Sequence, residues 1–159
     1  MRAIPPVVKT TGISPTISMN RHIIIASHST LAAGIAETLR FFEGEGLKLT
    51  VITAYVDNKP IEDTIRDVFK DYNEDDEYII LTDLMAGSVN QKFVENIFNK
   101  EHVHLIAGMN LSLAMAITME PKDSYISEKR INEIIEESRK QIIYVNESLA
   151  IVGEDEEDE

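Results

Sequence analysis

His28 stands at the end of a short apolar run, His22–Ala26 (HIIIA), immediately before a segment with helical spacing. A histidine in that place can be a general base, a metal ligand or a phosphoryl acceptor. The competing reading is a histidine in a helix-capping segment, with no chemistry. Asp83 ends a matching run, YIILT. It can accept a hydrogen bond from His28 Nδ1–H, fixing the tautomer that leaves Nε2 free to attack. It can equally be the N-cap of the turn that follows. Gly87-Ser88 precedes another helical pattern, so its N–H groups and hydroxyl can receive an anion; a turn plus N-cap is the plainer alternative. Ser29, beside His28, and Asn110, at the next strand end, complete the candidate anion-binding set. Asn110 can serve as a cap, a site amide or both.

Other constellations lack a partner. His102 and His104 are two apart, as ligands on one strand face would be, but no acid or third histidine has a spacing that completes a metal site. The better reading is a strand whose alternate positions reach the surface. Met109, Met115 and Met119 recur at helical spacings and read as core or interface filler. The chain has no GxSxG nucleophile elbow, no GxxxxGK[ST] phosphate loop and no GxGxxG dinucleotide turn.

The elements that must position these residues alternate from Arg21 onward. After the first strand, Leu31, Ile35, Leu39 and Phe42 make a helical stripe ended by Gly44 and Gly46. Leu47–Tyr55 reads as a second strand, ending near Tyr55 and Asp57. Pro60 opens a helix carrying Ile61, Ile65, Val68, Phe69 and Tyr72. The third strand lies within Glu77–Thr82, and Val89, Phe93, Val94, Ile97 and Phe98 form the next helical face. Val103–Ala107 is the fourth strand, and Asn110–Met119 a helix stopped at Pro121. Ser127 caps a last helix with Ile131, Ile134, Ile135 and Ile142 inward. Strands joined by helices pair in parallel. The expectation is therefore a three-layer α/β fold: an open, mainly parallel sheet with helices on both faces. Ligands of such sheets sit at the carboxyl ends of the strands, where His28, Asp83, Gly87-Ser88 and Asn110 would converge.

Composition narrows the function classes. The 159 residues hold 15 Lys plus Arg against 28 Asp plus Glu, a net charge of −13, which argues against a nucleic-acid partner. Asn73–Glu77 (NEDDE) and 154–159 (EDEEDE) concentrate the acids and read as a solvated loop and tail. No cysteine is present, which removes disulfides and thiolate chemistry and suits an intracellular protein. No run approaches a membrane span. Residues 1–20 lack the apolar core of a secretory signal and are expected to be a flexible leader, with Met19 as an alternative start. The domain is expected over 21–147, and 148–159 as an acidic disordered tail.

Three segments together resemble a known family. His28 in Ser27-His28-Ser29-Thr30-Leu31-Ala32-Ala33-Gly34-Ile35 resembles the active-site segment of enzyme IIA components of the mannose-type sugar phosphotransferase system. Leu81–Asn90 (LTDLMAGSVN) is similar to the family's Asp followed by a Gly-Gly-Ser-Pro turn and an Asn. Ile106–Leu111 (IAGMNL) is similar to its Gly-x-Asn-Leu-Pro segment. The departures are Ala86 for the first Gly, and Val89 and Ser112 where Pro is common. The resemblance covers Arg21 to Tyr144. It implies a cytoplasmic, usually dimeric phosphotransferase. His28 would take a phosphoryl group from the histidine-containing phosphocarrier protein and pass it to a IIB component, with membrane IIC and IID components reached only through IIB. Asp83 would be the partner of His28 and Ser88 part of the phosphate-facing turn. Histidine chemistry of this kind needs neither metal nor cofactor.

Three alternatives remain open. The Ser-His-Ser triplet also resembles the phosphotransfer subunit of dihydroxyacetone kinase. A receiver-like signalling domain phosphorylated on Asp83 fits the third strand end but lacks the acidic pair that would hold Mg²⁺. A non-catalytic interaction module would leave His28 and Asp83 incidental.

Overall fold

β-branched residues crowd the hydrogen-bonding register of a sheet without strain, and the isoleucine runs here do so twice, at the centre of the molecule. The computed structural model describes residues 19–149. Most of the expected leader, and the tail from 150 on, lie outside them. β1 (Arg21–His28) and β3 (Glu77–Thr82) are the inner strands; β2 (Thr50–Ala54) and β4 (Val103–Ala107) are the edges. The order is β2-β1-β3-β4 and every pairing is parallel, with Ile24 opposite both Thr50 and Ile80. Alternate side chains feed opposite faces. Ile23, Ile25, Ile79 and Leu81 meet α1 (Leu31–Glu43), α4 (Leu111–Thr118) and α5 (Glu128–Arg139). Ile24, Ala26, Ile80 and Tyr78 meet α2 (Ile61–Val68) and α3 (Ser88–Ile97). Each buried isoleucine contributes about 1.5–3 kcal/mol, so the double-sided sheet is the main store of stability. The expected three-layer architecture is present.

The helical stripes are narrower than their sequence suggests. Ile35 and Leu39 are buried, but Leu31 and Phe42 at the ends of the same stripe are exposed. Val89 and Phe93 pack inward while Val94 and Phe98 face out. Ile142, expected on the inner face of the last helix, is exposed because α5 ends at Arg139. Ser127 does cap α5, accepting from the Arg130 N–H. Val145–Leu149 form a helical turn that takes in the first two residues of the expected tail.

The NEDDE run is not a solvated loop throughout. Asp76 and Glu77 are buried, because each answers specific donors. Glu77, with a fully buried side chain, accepts from Arg21 Nε at 2.5 Å and from the Ile126 N–H at 2.6 Å, and His104 Nε2 lies 3.7 Å away. The Arg21 guanidinium also donates to the carbonyls of Glu120, Pro121 and Ser124. One ion pair thus ties β1 and β3 to the α4–α5 connection. His102 is not in β4 but just before it, at φ 54°, stacked on Tyr125 with ring centroids 3.8 Å apart. His104 is mostly covered, with 18% of its side chain exposed, beside Glu77.

Burial alone would raise the Glu77 carboxyl, but the donors from His104, Arg21 and Ile126 outweigh it and hold the group below its ordinary value. The stability this supplies is complete above the unfolded carboxylate value of about 4.3 and is lost as pH falls through the lower folded value. Glu77→Gln leaves the Arg21 cation buried and unanswered, a loss of about 3–5 kcal/mol. Urea denaturation at pH 7 is expected to show that loss, and titration toward pH 3 a shallower decline in the variant than in the wild type.

Candidate active site

A sheet whose first strand is internal must send its chain to one side and then the other. Here it leaves β1 for β2 and returns to the opposite side for β3 and β4. Between the carboxyl ends of β1 and β3 the connections diverge and leave a crevice. His28 is the last residue of β1, and Asp83 directly follows β3. Their proximity is a consequence of register, since Ala26 pairs with Thr82.

Asp83 Oδ2 accepts from the His28 backbone N–H at 2.8 Å and lies 2.8 Å from His28 Nδ1, while Oδ1 accepts from the Leu84 N–H. Asp83 therefore both stabilises its own turn and holds the histidine. Burial pushes its carboxyl up, but the backbone and ring donors of His28 bring it below the ordinary range. An ionised carboxylate has no proton to give, so Nδ1 must carry the hydrogen and Nε2 of the neutral ring must be bare. The His28 side chain is 37% exposed against 9% for Asp83, so the ring lies toward solvent and the carboxylate behind it.

Across the ring, Ser88 Oγ lies 3.3 Å from Nε2, at the first residue of α3. Gly87 permits this approach. A Cβ built there would stand 2.9 Å from His28 Cε1. The turn itself is held from below: Thr82 Oγ1 donates to Asn90 Oδ1, and Asn90 Nδ2 donates to the Met85 carbonyl. Ala86 imposes no strain, because the non-glycine residues with positive φ among those described are Ser29, Tyr55 and His102.

His28, Asp83, Gly87 and Ser88 thus come together as the sequence reading expected. Ser29 is adjacent, at φ 53°, but its N–H is taken by the Ala54 carbonyl at 2.9 Å, which leaves only its hydroxyl for a ligand. Asn110 caps α4, its Oδ1 accepting from the Leu113 N–H at 2.8 Å, and lines a cavity with Gly108, Ile135 and Ile142. Thr30 is the N-cap of α1 but makes no side-chain cap bond; the buried Ser27 Oγ instead accepts from the Ala32 N–H. Sequence reasoning gave Asn90 and Tyr55 no role. Tyr55 was placed at the right strand end; its reach depends on a backbone turn that no residue type announces.

Gly87→Ala is expected to displace the imidazole and destabilise the fold by about 1–3 kcal/mol through overpacking. Gly34→Ala, in α1 with nothing within 4 Å of the added methyl, is expected to stabilise by about 0.5–1 kcal/mol. Thermal unfolding distinguishes the two, and shifted His28 ring resonances in the first variant alone check the cause.

Comparison with known proteins finds matches over most of the chain. The family profile for the PTS system fructose IIA component, of the mannose-type IIA group, matches residues 22–143. No curated protein gives a significant match. A solved structure from Klebsiella pneumoniae, assigned as a phosphoenolpyruvate-dependent sugar phosphotransferase system permease, is 30% identical, with a TM-score of 0.74 over 82% of this chain and 95% of that one. The phosphotransferase system IIA protein associated with the fucose utilization operon of Streptococcus pneumoniae is 26% identical, with a TM-score of 0.68 over 83% and 98%. The mannose/sorbose-specific IIA subunit of Enterococcus faecalis, 15% identical, shares the fold at a TM-score of 0.67 over 79% and 94%.

Proposed function

The chain belongs to the family of PTS system fructose IIA components, and from that premise we propose that it carries a phosphoryl group on His28 Nε2. The group arrives from the histidine-containing phosphocarrier protein and leaves to a IIB component, in the service of sugar uptake. The observation that carries the reading is the His28 ring held at Nδ1 by Asp83, with Nε2 turned outward beside Ser88.

The transfer balances on these groups. The Nε2 lone pair forms a bond to phosphorus as the donor's N–P bond breaks, and the donor ring keeps that electron pair. The His28 ring, still holding its Nδ1 proton, becomes cationic, and the adjacent Asp83 carboxylate stabilises it. Ser88 Oγ–H is placed to donate to a phosphoryl oxygen at the start of a helix whose dipole favours the anion. Apolar Leu31, Tyr55, Val56, Leu84 and Met85 are exposed around this edge of the sheet, a surface suited to a protein partner. Among the described residues no helix is long and apolar enough to cross a membrane. On this reading the protein is a cytoplasmic homodimer that meets membrane components only through IIB.

The receiver alternative asks Asp83 to be the nucleophile. Both of its oxygens already accept hydrogen bonds and its side chain is largely covered. The matched family favours the sugar branch over the dihydroxyacetone kinase subunit.

Incubation with phosphoenolpyruvate, enzyme I and the phosphocarrier protein is expected to add one acid-labile, alkali-stable phosphoryl group. It should be lost in His28→Ala and retained in His102→Ala and His104→Ala. Acid-stable label, or label surviving in His28→Ala, overturns the assignment. Asp83→Asn is expected to fold yet transfer about 10²–10⁴ times more slowly in rapid mixing. A rate within a factor of about two of wild type would make Asp83 only a turn residue.

A further inference from the structure

Tyr55 follows β2 with φ 66°, a conformation uncommon for any non-glycine residue and a marked outlier for a bulky one. Such strain persists where surrounding structure over-determines it, and it gathers at functional sites. The turn brings the Tyr55 ring beside the His28 ring, centroids 5.6 Å apart, and places its hydroxyl 2.6 Å from Ser88 Oγ. Ser88 Oγ in turn lies 3.3 Å from His28 Nε2.

Hydrogen counting fixes the direction of this chain. Asp83 is ionised, so Nδ1 bears the imidazole hydrogen and Nε2 of the neutral ring can only accept. Ser88 has one hydroxyl hydrogen, and the contact to Nε2 uses it. The short Tyr55–Ser88 bond therefore needs the phenolic hydrogen, with Tyr55 as donor. We infer that Tyr55 is a positioning residue for phosphoryl transfer, acting through Ser88: its O–H donates to Ser88 Oγ and so keeps the serine hydrogen aimed at Nε2 and, after transfer, at an oxygen of the phosphoryl group bound there. The inference rests on the phosphocarrier reading for its second half only.

The consequence is a hydroxyl relay that serves both states. In the resting protein it caps the bare nitrogen. During transfer Ser88 swings its hydrogen from Nε2 to the incoming phosphoryl oxygen, while Tyr55 continues to occupy the serine lone pair. Donation into Ser88 makes its own hydrogen a stronger donor to an anion, because chained hydrogen bonds polarise one another. No proton changes owner, and no bond in the relay is broken by the chemistry. Tyr55 thus supplies at a distance what a second direct donor would supply by contact, and leaves the approach to Nε2 open to the partner.

A double-mutant cycle of Tyr55→Phe and Ser88→Ala tests this, with two readouts on folded protein. The first is the ¹⁵N resonance of His28 Nε2 in the unphosphorylated state. Tyr55→Phe, which keeps the ring and loses only the hydroxyl, should shift it in the direction of Ser88→Ala, and should add nothing in the Ser88→Ala background. The second is the rate of phosphoryl acceptance by rapid mixing. Loss of one hydrogen bond of ordinary strength predicts a decrease of about fivefold to tenfold for Tyr55→Phe, again absent when Ser88 is already Ala. An unmoved Nε2 resonance in Tyr55→Phe, or effects of the two substitutions that multiply independently, overturns the relay. Should wild-type protein accept no phosphoryl group at His28, the carrier reading falls, and the resting-state resonance alone still decides whether Tyr55 acts on Nε2 through Ser88.

Discussion

The bond between His28 Nδ1 and Asp83 Oδ2 joins residues 55 positions apart in sequence, and the site depends on it. It gives the two ring nitrogens different roles by deciding which of them holds the hydrogen. The cost lies in bringing a carboxylate to a largely covered place, and three N–H donors meet it there. Those donors come from the backbone of β1, the ring itself and the turn after β3. The sheet register thus sets the electrostatics of the site as well as its shape.

Opposite ends of the same two strands are used differently. At the amino ends, Arg21 and Glu77 form a buried pair whose remaining valences are filled by carbonyls of the α4–α5 connection and the Ile126 N–H. At the carboxyl ends the corresponding ionisable pair is left partly open, with Nε2 turned toward solvent and a serine hydroxyl. The first arrangement is satisfied and locks β1 against β3. The second leaves Nε2 at a partly exposed edge whose one contact among the described residues is the longer one to Ser88 Oγ, and on the proposed function that is where a phosphoryl group would be accepted. On the proposed function, rigidity at one end holds the His28–Asp83 pair in place at the other.

The architecture was legible because the isoleucine runs of β1 and β3 are too short and too β-branched for helices, and the intervening stripes have helical period. His28, Asp83, Gly87 and Ser88 were legible because strand ends of a parallel sheet are the places to look. What escaped was set by tertiary context. Asp76 and Glu77 look like members of a charged loop until Arg21 and the Asn20 N–H are seen to answer them. Asn110 reads as a cap, a site amide or both, and the structure shows the cap. Tyr55 needed a positive φ, which its side chain does nothing to advertise.

The central claim is that Asp83 commits His28 to react through Nε2. It is tested most directly by ¹⁵N–³¹P coupling in uniformly ¹⁵N-labelled protein after phosphorylation. The expected result is phosphorus coupled to His28 Nε2, with the Nδ1 hydrogen still present and slowed in exchange by Asp83. Phosphorus on Nδ1, or on Asp83 itself, would contradict the account.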